Sequence, residues 1–250
     1  MTTIAPVRRQ VVVPVHPEAA FAIWTAEIGK WWPLDRGHSV YGAGGTVAFV
    51  DGQLVEESAD GRAVWGTVLD WNPPDFFRMT WHPGRGPDVV TEVSVRFAAL
   101  GGGAQTLVTL EHSGWERLPD PLGARSEYAN GWISVVDDYV GFSNAAAPDS
   151  AGEVWLVLRH SPGINAPADG NVFAHPDFME HVKFAQRLTD SGVVVGAGPL
   201  SGHTGHGMTI LRVPAAQAAD YVRRAYQEDQ SVVRGLLQVD ARPWAVRMVS

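Results

Sequence analysis

Between Thr46 and His112 the chain passes through short runs in which alternate residues are apolar, and a turn signal cuts off each run. That pattern leaves room for little besides an antiparallel meander. Thr46 to Val50 leads into the hairpin dipeptide Asp51-Gly52. Ala63, Trp65, Thr67, Leu69 and Trp71 then alternate on one expected strand face, which Asn72-Pro73-Pro74 ends. Phe77, Met79 and Trp81 share a face up to Pro83-Gly84, and Val93, Val95 and Phe97 follow. After Gly101-Gly102-Gly103 comes a last strand, Thr106 to His112. From Leu122 to Phe142 the period changes: Tyr128, Trp132, Val135 and Tyr139 fall at steps of four, three and four, the spacing of one helix face. Gly131 sits inside that helix at about 1 kcal/mol relative to alanine, which permits a close approach by whatever the helix covers. Upstream, Val11-Val12-Val13 reads as a strand, and Pro17-Glu18 suits the first turn of a helix carrying Phe21, Trp24 and Ile28. Trp31-Trp32-Pro33 is expected to stop it.

The remainder of the chain has a different character. Eight of the ten tryptophans precede Ala146, and seven of the eight net negative charges lie in that first part. Ser143 to Gly152 is small, polar and Pro/Gly-containing, as a linker is. The expected division is residues 1–145, a linker at 146–152, and residues 153–250. Beyond the linker the order reads strand (Val154 to Leu158), loop (Ser161 to Ala174) and helix (Pro176 to Ser191, with Phe178, Val182, Ala185 and Leu188 on one face). Gly192 caps that helix. Val193-Val194-Val195 and Met208 to Val213 follow as strands with Gly198-Pro199 between them, then a helix from Pro214 to Gln227 and a strand from Leu236. The whole is α+β: one long helix over an antiparallel sheet, then βαββαβ, the ferredoxin-like plan.

Composition narrows the function classes. No cysteine is present, which removes disulfides, thiol nucleophiles and thiolate metal sites. A net charge of −8 argues against a nucleic-acid backbone as partner. No stretch approaches a membrane span, and Met1 to Gln10 has no apolar core of a secretory signal, so a cytoplasmic location is expected.

Both halves resemble known families. Residues 7–143 resemble the START-like (SRPBCC) superfamily, in the branch named after the activator of heat-shock protein 90 ATPase. The likeness rests on Arg9, the Val-rich strand, Pro17-Glu18-Ala19-Ala20-Phe21, Trp31-Trp32-Pro33, Gly66-Thr67-Val68, Thr80-Trp81, Thr91-Glu92-Val93, Glu111-His112-Ser113-Gly114-Trp115 and Gly131-Trp132. It implies a helix-grip fold, in which a sheet wraps a C-terminal helix and encloses a cavity used for apolar ligands. Residues 153–248 resemble YciI-related domains through His181, Gly192, Gly198-Pro199-Leu200, Gly207-Met208-Thr209-Ile210, Asp229 and Arg242-Pro243-Trp244. Gln230 follows Asp229 where that family usually has proline. This second resemblance implies a ferredoxin-like domain of the dimeric α/β barrel type, pairing through its sheets, with a histidine and an aspartate facing a cleft.

Two candidate sites follow. His181, three residues after Phe178 and four before Ala185, faces inward, and with Asp229 it makes a candidate acid/base pair. The competing reading is a hydrogen-bonded core histidine and an aspartate that merely caps a helix. The pair supplies no nucleophile, so it suits elimination or isomerisation rather than acyl transfer. Trp65, Met79, Trp81, Trp132 and Tyr139 are the candidate lining of a ligand pocket, unless they simply fill the core. Glu111 and His112 alternate to opposite strand faces and form no dyad. His203 and His206, with His175 and Asp177, have no specific ligand spacing, so no metal is expected, and no cofactor. Arg223-Arg224 reads as solvated charge. The leading expectation is a binding protein for a small hydrophobic or aromatic molecule, dimeric through its C-terminal domain. The alternatives are a His181/Asp229 acid–base enzyme acting on a small ring or carbonyl compound, and a chaperone-associated protein. The leading expectation requires that the rings between sheet and helix leave a hollow.

Overall fold

The computed structural model describes residues 4–87, 89–145, 152–244 and 246, so the expected linker lies outside it apart from Gly152. The chain divides into two compact units, Met1–Ala99 with Val108–Pro148 and Leu100–Leu107 with Asp149–Ser250.

The first unit, with Leu100 of β6 and Gln105–Leu107 of β7 excepted, is made of β1 (Val7–Val13), α1 (Pro17–Thr25), β2 (Thr46–Val50), β3 (Gln53–Ser58), β4 (Gly61–Asn72), β5 (Phe76–Trp81), β6 (Thr91–Leu100), β7 (Gln105–Ser113) and α2 (Pro121–Ala145). The strands make one sheet in the order β1-β7-β6-β5-β4-β3-β2, with β2 to β6 pairing antiparallel. Asp51 and Gly52 both take positive φ, 49° and 74°, as the tight turn between β2 and β3 demands. One face of α2, carrying Trp132, Val135, Val136 and Tyr139, is buried in the same core as Phe77, Met79, Trp81 and Val95 of the sheet.

Two expectations need correction here. The single face assigned to Ala63, Trp65, Thr67, Leu69 and Trp71 is broken by two bulges. Leu54 pairs Gly66 while Val55 pairs Val64, and Val68 pairs Met79 while Asp70 pairs Arg78, so Trp65 and Leu69 are extra residues. The bulges leave Thr67 and Leu69 exposed, while Trp65 is buried and Trp71, though 45% exposed, returns to the core side opposite Phe77 and packs against Phe21. Gly66 permits the first bulge, because a Cβ there would lie 1.8 Å from the Thr80 carbonyl oxygen. The first helix also ends early, at Thr25 rather than at Trp31. A 3-10 turn, Ile28–Lys30, follows, and Trp31 Nε1 donates to Ile23 O at 2.7 Å.

The second unit runs β8 (Glu153–Pro162), α3 (Phe178–Asp190), β9 (Val194–Pro199), β10 (Gly207–Pro214), α4 (Ala218–Gln227), α5 (Gln230–Val233) and β11 (Leu237–Pro243). Its sheet has the order β11-β8-β10-β9, every neighbouring pair antiparallel. The short helix α5 was not expected, and β8 extends four residues past Leu158, shortening the expected loop. Gly198-Pro199 close β9 instead of lying in the connection to β10. On α3, Val182 is 41% exposed, and Phe184, at 1%, takes its place beside Leu188 on the buried face. Gly192, at φ 73°, follows the last turn of α3 as the sequence suggests. Among the described residues no helix is long and apolar enough to cross a membrane.

Candidate functional site

A hollow of about 260 Å³ opens in the first unit beside α2. Trp32, Trp81, Trp132 and Tyr128 form its aromatic wall, with Val135; His38, Arg85 and Glu127 supply polar groups, and Gly37 and Gly131 lie where side chains would intrude. Of the five residues expected to line a pocket, Trp81 and Trp132 do so. Trp65, Met79 and Tyr139 are packed solid in the core. Their polar atoms are committed elsewhere: Trp65 Nε1 donates to Glu56 Oε2 at 3.0 Å and Tyr139 Oη to Ala20 O at 2.9 Å. Burial pushes the Tyr139 phenol up.

A chain of hydrogen bonds behind the wall holds it in place. Thr91 Oγ1 donates to Trp81 O at 3.0 Å, so its 2.7 Å contact with His112 is a donation from His112 Nε2. That leaves His112 Nδ1 bare to accept Trp132 Nε1 at 3.0 Å. His112 is thus a neutral imidazole of fixed tautomer joining two wall tryptophans through β7 and β6. Burial, with a smaller contribution from the Arg85 charge, pushes its pKa down to about 3. Its role is to brace, and Glu111, beside it in sequence, faces Arg8 instead.

The segment before β2 supplies the rest of the wall. Trp32 Nε1 donates to His38 O at 2.9 Å. The buried Glu56 carboxylate receives the Val40 N–H at 2.7 Å and the Ser39 hydroxyl, pinning the loop that presents His38. Burial, then the Arg36 charge, lowers the His38 pKa. Sequence reasoning missed Trp32, His38, Tyr128, Arg85 and Glu127. Ahead of Pro33, Trp31-Trp32 looks like a helix stop, although two adjacent indoles before a proline are also a strong signal of packing.

In the second unit the structure brings His181 and Asp229 together. His181 Nδ1 donates to Asp229 Oδ2 at 2.7 Å. The other carboxylate oxygen accepts the Ser231 N–H at 3.0 Å and the Ser231 hydroxyl at 2.6 Å, so Asp229 also N-caps α5. Burial pushes the Asp229 pKa up, but the bonds from His181 and Ser231 outweigh it and hold the carboxyl below its ordinary value. A third group stands beside them. His160 continues the inward alternation Val154, Leu156, Leu158 on β8, and its ring meets that of His181 edge-on, centroids 4.5 Å apart. It is 3% exposed, and its Nε2 has no hydrogen-bond partner among the described residues. Burial, then the neighbouring His181, pushes its pKa down to about 3. Ending the expected strand at Leu158 hid this residue; one more step of the same alternation reaches it.

Ligating atoms of His160, His181 and Asp229 lie within 4.8 Å of one another, and two imidazoles with a carboxylate are a donor set that transition metals accept. Both Asp229 oxygens, however, are already engaged by hydrogen bonds. The other histidines stay apart from this cluster: His206 Nδ1 contacts Thr204 O at 2.9 Å, and His175 Nδ1 accepts the Asp177 N–H at 3.2 Å. Arg223 bonds Asp220 and Gln227 on its own helix, and Arg224 bonds Glu228.

A seven-stranded sheet, a long C-terminal helix and an aromatic hollow beside that helix define a mixed α/β protein consistent with the helix-grip class. Residues 14–138, half of the chain, match the family model described as activator of Hsp90 ATPase homolog 1-like protein, and the chain belongs to that family. Similar solved structures include a protein from Mesorhizobium loti (18% identity, covering 56% of this chain and all of that one, TM-score 0.41). CalU16 from Micromonospora echinospora is 18% identical over 58% of this chain and 87% of its own, TM-score 0.38. An HSP90 activator from Plasmodium falciparum is 16% identical over 44% and 73%, TM-score 0.32. No curated protein matches the chain.

Proposed function

We propose that the first unit binds a small hydrophobic or aromatic molecule. The observation that carries this reading is the hollow of about 260 Å³ walled by Trp32, Trp81, Trp132 and Tyr128. Pockets of this kind bury most of a ligand against apolar walls and orient it with a few polar groups. The volume suits one or two fused rings, being a little under the roughly 300 Å³ at which drug-sized sites begin. A Cβ at residue 131 would come to 3.4 Å of His38 Cε1, so alanine fits there while a larger side chain must enter the hollow. Gly131→Leu therefore fills the site, and it also improves helix propensity by about 0.8 kcal/mol. Wild-type protein should take up 2-methylnaphthalene, and G131L should bind it at least tenfold more weakly at undiminished thermal stability. Lack of uptake by the wild type, or equal uptake by G131L, contradicts the reading.

A second reading is favoured by the 2.7 Å bond between His181 and Asp229. We propose that the second unit is a YciI-related, ferredoxin-like domain, a reading supported by its strand order β11-β8-β10-β9 with α3 joining β8 to β9. There His181 Nε2 takes a proton from a carbon next to a carbonyl, and the buried Asp229 carboxylate stabilises the imidazolium that forms. Positioned acid–base catalysis contributes roughly 10²–10⁴-fold. Exchange of α-protons of small cyclic ketones in D2O, followed by proton NMR, should exceed the buffer rate and fall at least 100-fold in His181→Ala. Exchange at the buffer rate, or an unaffected variant, rejects this second role.

A further inference from the structure

We propose that the aromatic ligand of the first unit carries a hydroxyl group, which donates to His38 Nδ1 and accepts from the Tyr128 hydroxyl. This rests on the binding reading above and adds the ligand's chemical class.

The tautomer of His38 follows from its neighbour. Ser134 Oγ donates to Gly131 O at 3.0 Å, as helix serines do to the preceding turn. The hydroxyl's one proton being used, its 2.7 Å contact with His38 Nε2 is a donation from the imidazole. A neutral imidazole carries a single N–H, so Nδ1 keeps a bare lone pair. It has no hydrogen-bond partner among the described residues, and the ring lines the hollow. Gly131 leaves that edge open, since a Cβ there would stand 4.0 Å from Nδ1. The lowered pKa of His38 keeps the lone pair free near neutral pH. The hollow thus presents an acceptor.

It presents a donor as well. Tyr128 lines the hollow, and its hydroxyl closes no hydrogen bond among the described residues. Burial raises the Tyr128 pKa, so the phenol keeps its proton near neutral pH and can donate it into the hollow. Among common substituents on an aromatic ring, a hydroxyl both gives and receives a hydrogen bond at one atom. A carboxylate only accepts and would face His38 Nδ1 lone pair to lone pair. The ionic groups on the wall, Arg85 and Glu127, are of opposite sign and so give no preference for an anion.

Three naphthalene probes test this, the isosteric pair 2-naphthol and 2-methylnaphthalene and the larger 2-naphthoate, each titrated against protein labelled with 15N and read at the tryptophan indole signals. The expected order places 2-naphthol at least fivefold tighter than 2-methylnaphthalene, with 2-naphthoate the weakest. Tyr128→Phe should lose about fivefold in affinity for 2-naphthol. It should keep its affinity for 2-methylnaphthalene, which also shows that the variant is folded. Equal binding of naphthol and methylnaphthalene, or tightest binding of naphthoate, overturns the inference and leaves the binding reading standing. Binding of none of the three overturns both.

Discussion

His112 is buried between Trp81, Trp115, Tyr128 and Trp132, and its pKa is pushed to about 3 by burial. In the unfolded chain it titrates near 6.5. The folded value is the lower one, so the unfolded state takes up the proton first as the pH drops. The stability this neutral imidazole contributes is therefore complete above pH ~6.5 and is lost on acidification through the interval down to pH ~3. Urea unfolding followed by tryptophan fluorescence should show the first unit losing about 1.4 kcal/mol per pH unit between pH 6 and 4 from this residue. His112→Phe should unpair Trp132 Nε1 and Thr91 and cost about 2 kcal/mol at pH 7. Its pH slope should be shallower by one proton, so a slope equal to that of the wild type counts against the brace. Residue by residue, the sequence showed the aromatic supply but not its allocation. Trp81 and Trp132 line the hollow while Trp65 and Tyr139 are drawn into the core, where Glu56 and the Ala20 carbonyl, partners set by tertiary packing, hold their polar atoms. His38 was invisible for the same reason, since the Ser134 that fixes its tautomer is 96 positions away.

Elements were easier to read than their faces. The meander and α2 stand where alternation and helical period put them, because a turn dipeptide and a change of period are local signals. A bulge is not: the extra residues at Trp65 and Leu69 depend on what lies across the sheet, and only the Gly66 backbone approach to Thr80 hints at one of them. On α3 the apolar set Phe178, Val182, Ala185 and Leu188 satisfied a helical period, yet the stripe that includes Phe184 also did, and the larger ring took the core. Two substitutions distinguish these faces. Phe184→Ala should cost about 3–5 kcal/mol, the range for deleting a buried phenylalanine. Val182→Lys, on the exposed side, should change stability by less than about 0.5 kcal/mol. The reverse ranking in chemical denaturation would return α3 to the face first assigned to it.

At the scale of the whole molecule, the sheet of the second unit has two unlike faces. Leu156, Leu158, Leu211 and Val213 point to one side and are fully buried. The alternate residues, Trp155 and Val157 on β8 with Met208 and Ile210 on β10, share the opposite face and are only half-buried, and Val195 on β9 is more than half exposed. Ile210 pairs directly with Val157, so these side chains form one strip rather than scattered points. Arg159, Arg212 and Arg242 border it, with Glu153 and Asp240 paired to the latter two. An apolar centre inside a rim of both charge signs is self-complementary under a two-fold axis, which is how identical chains pair most often. The proposal that the chain dimerises through this face then makes a definite demand. Light scattering after gel filtration should give twice the 27.0 kDa of one chain. Val157→Glu places a charge at the centre of the strip, where a second copy would have to desolvate it, and should yield a monomer with unchanged far-ultraviolet circular dichroism. A wild-type monomer at tens of micromolar, or a V157E dimer, rules out pairing through this sheet.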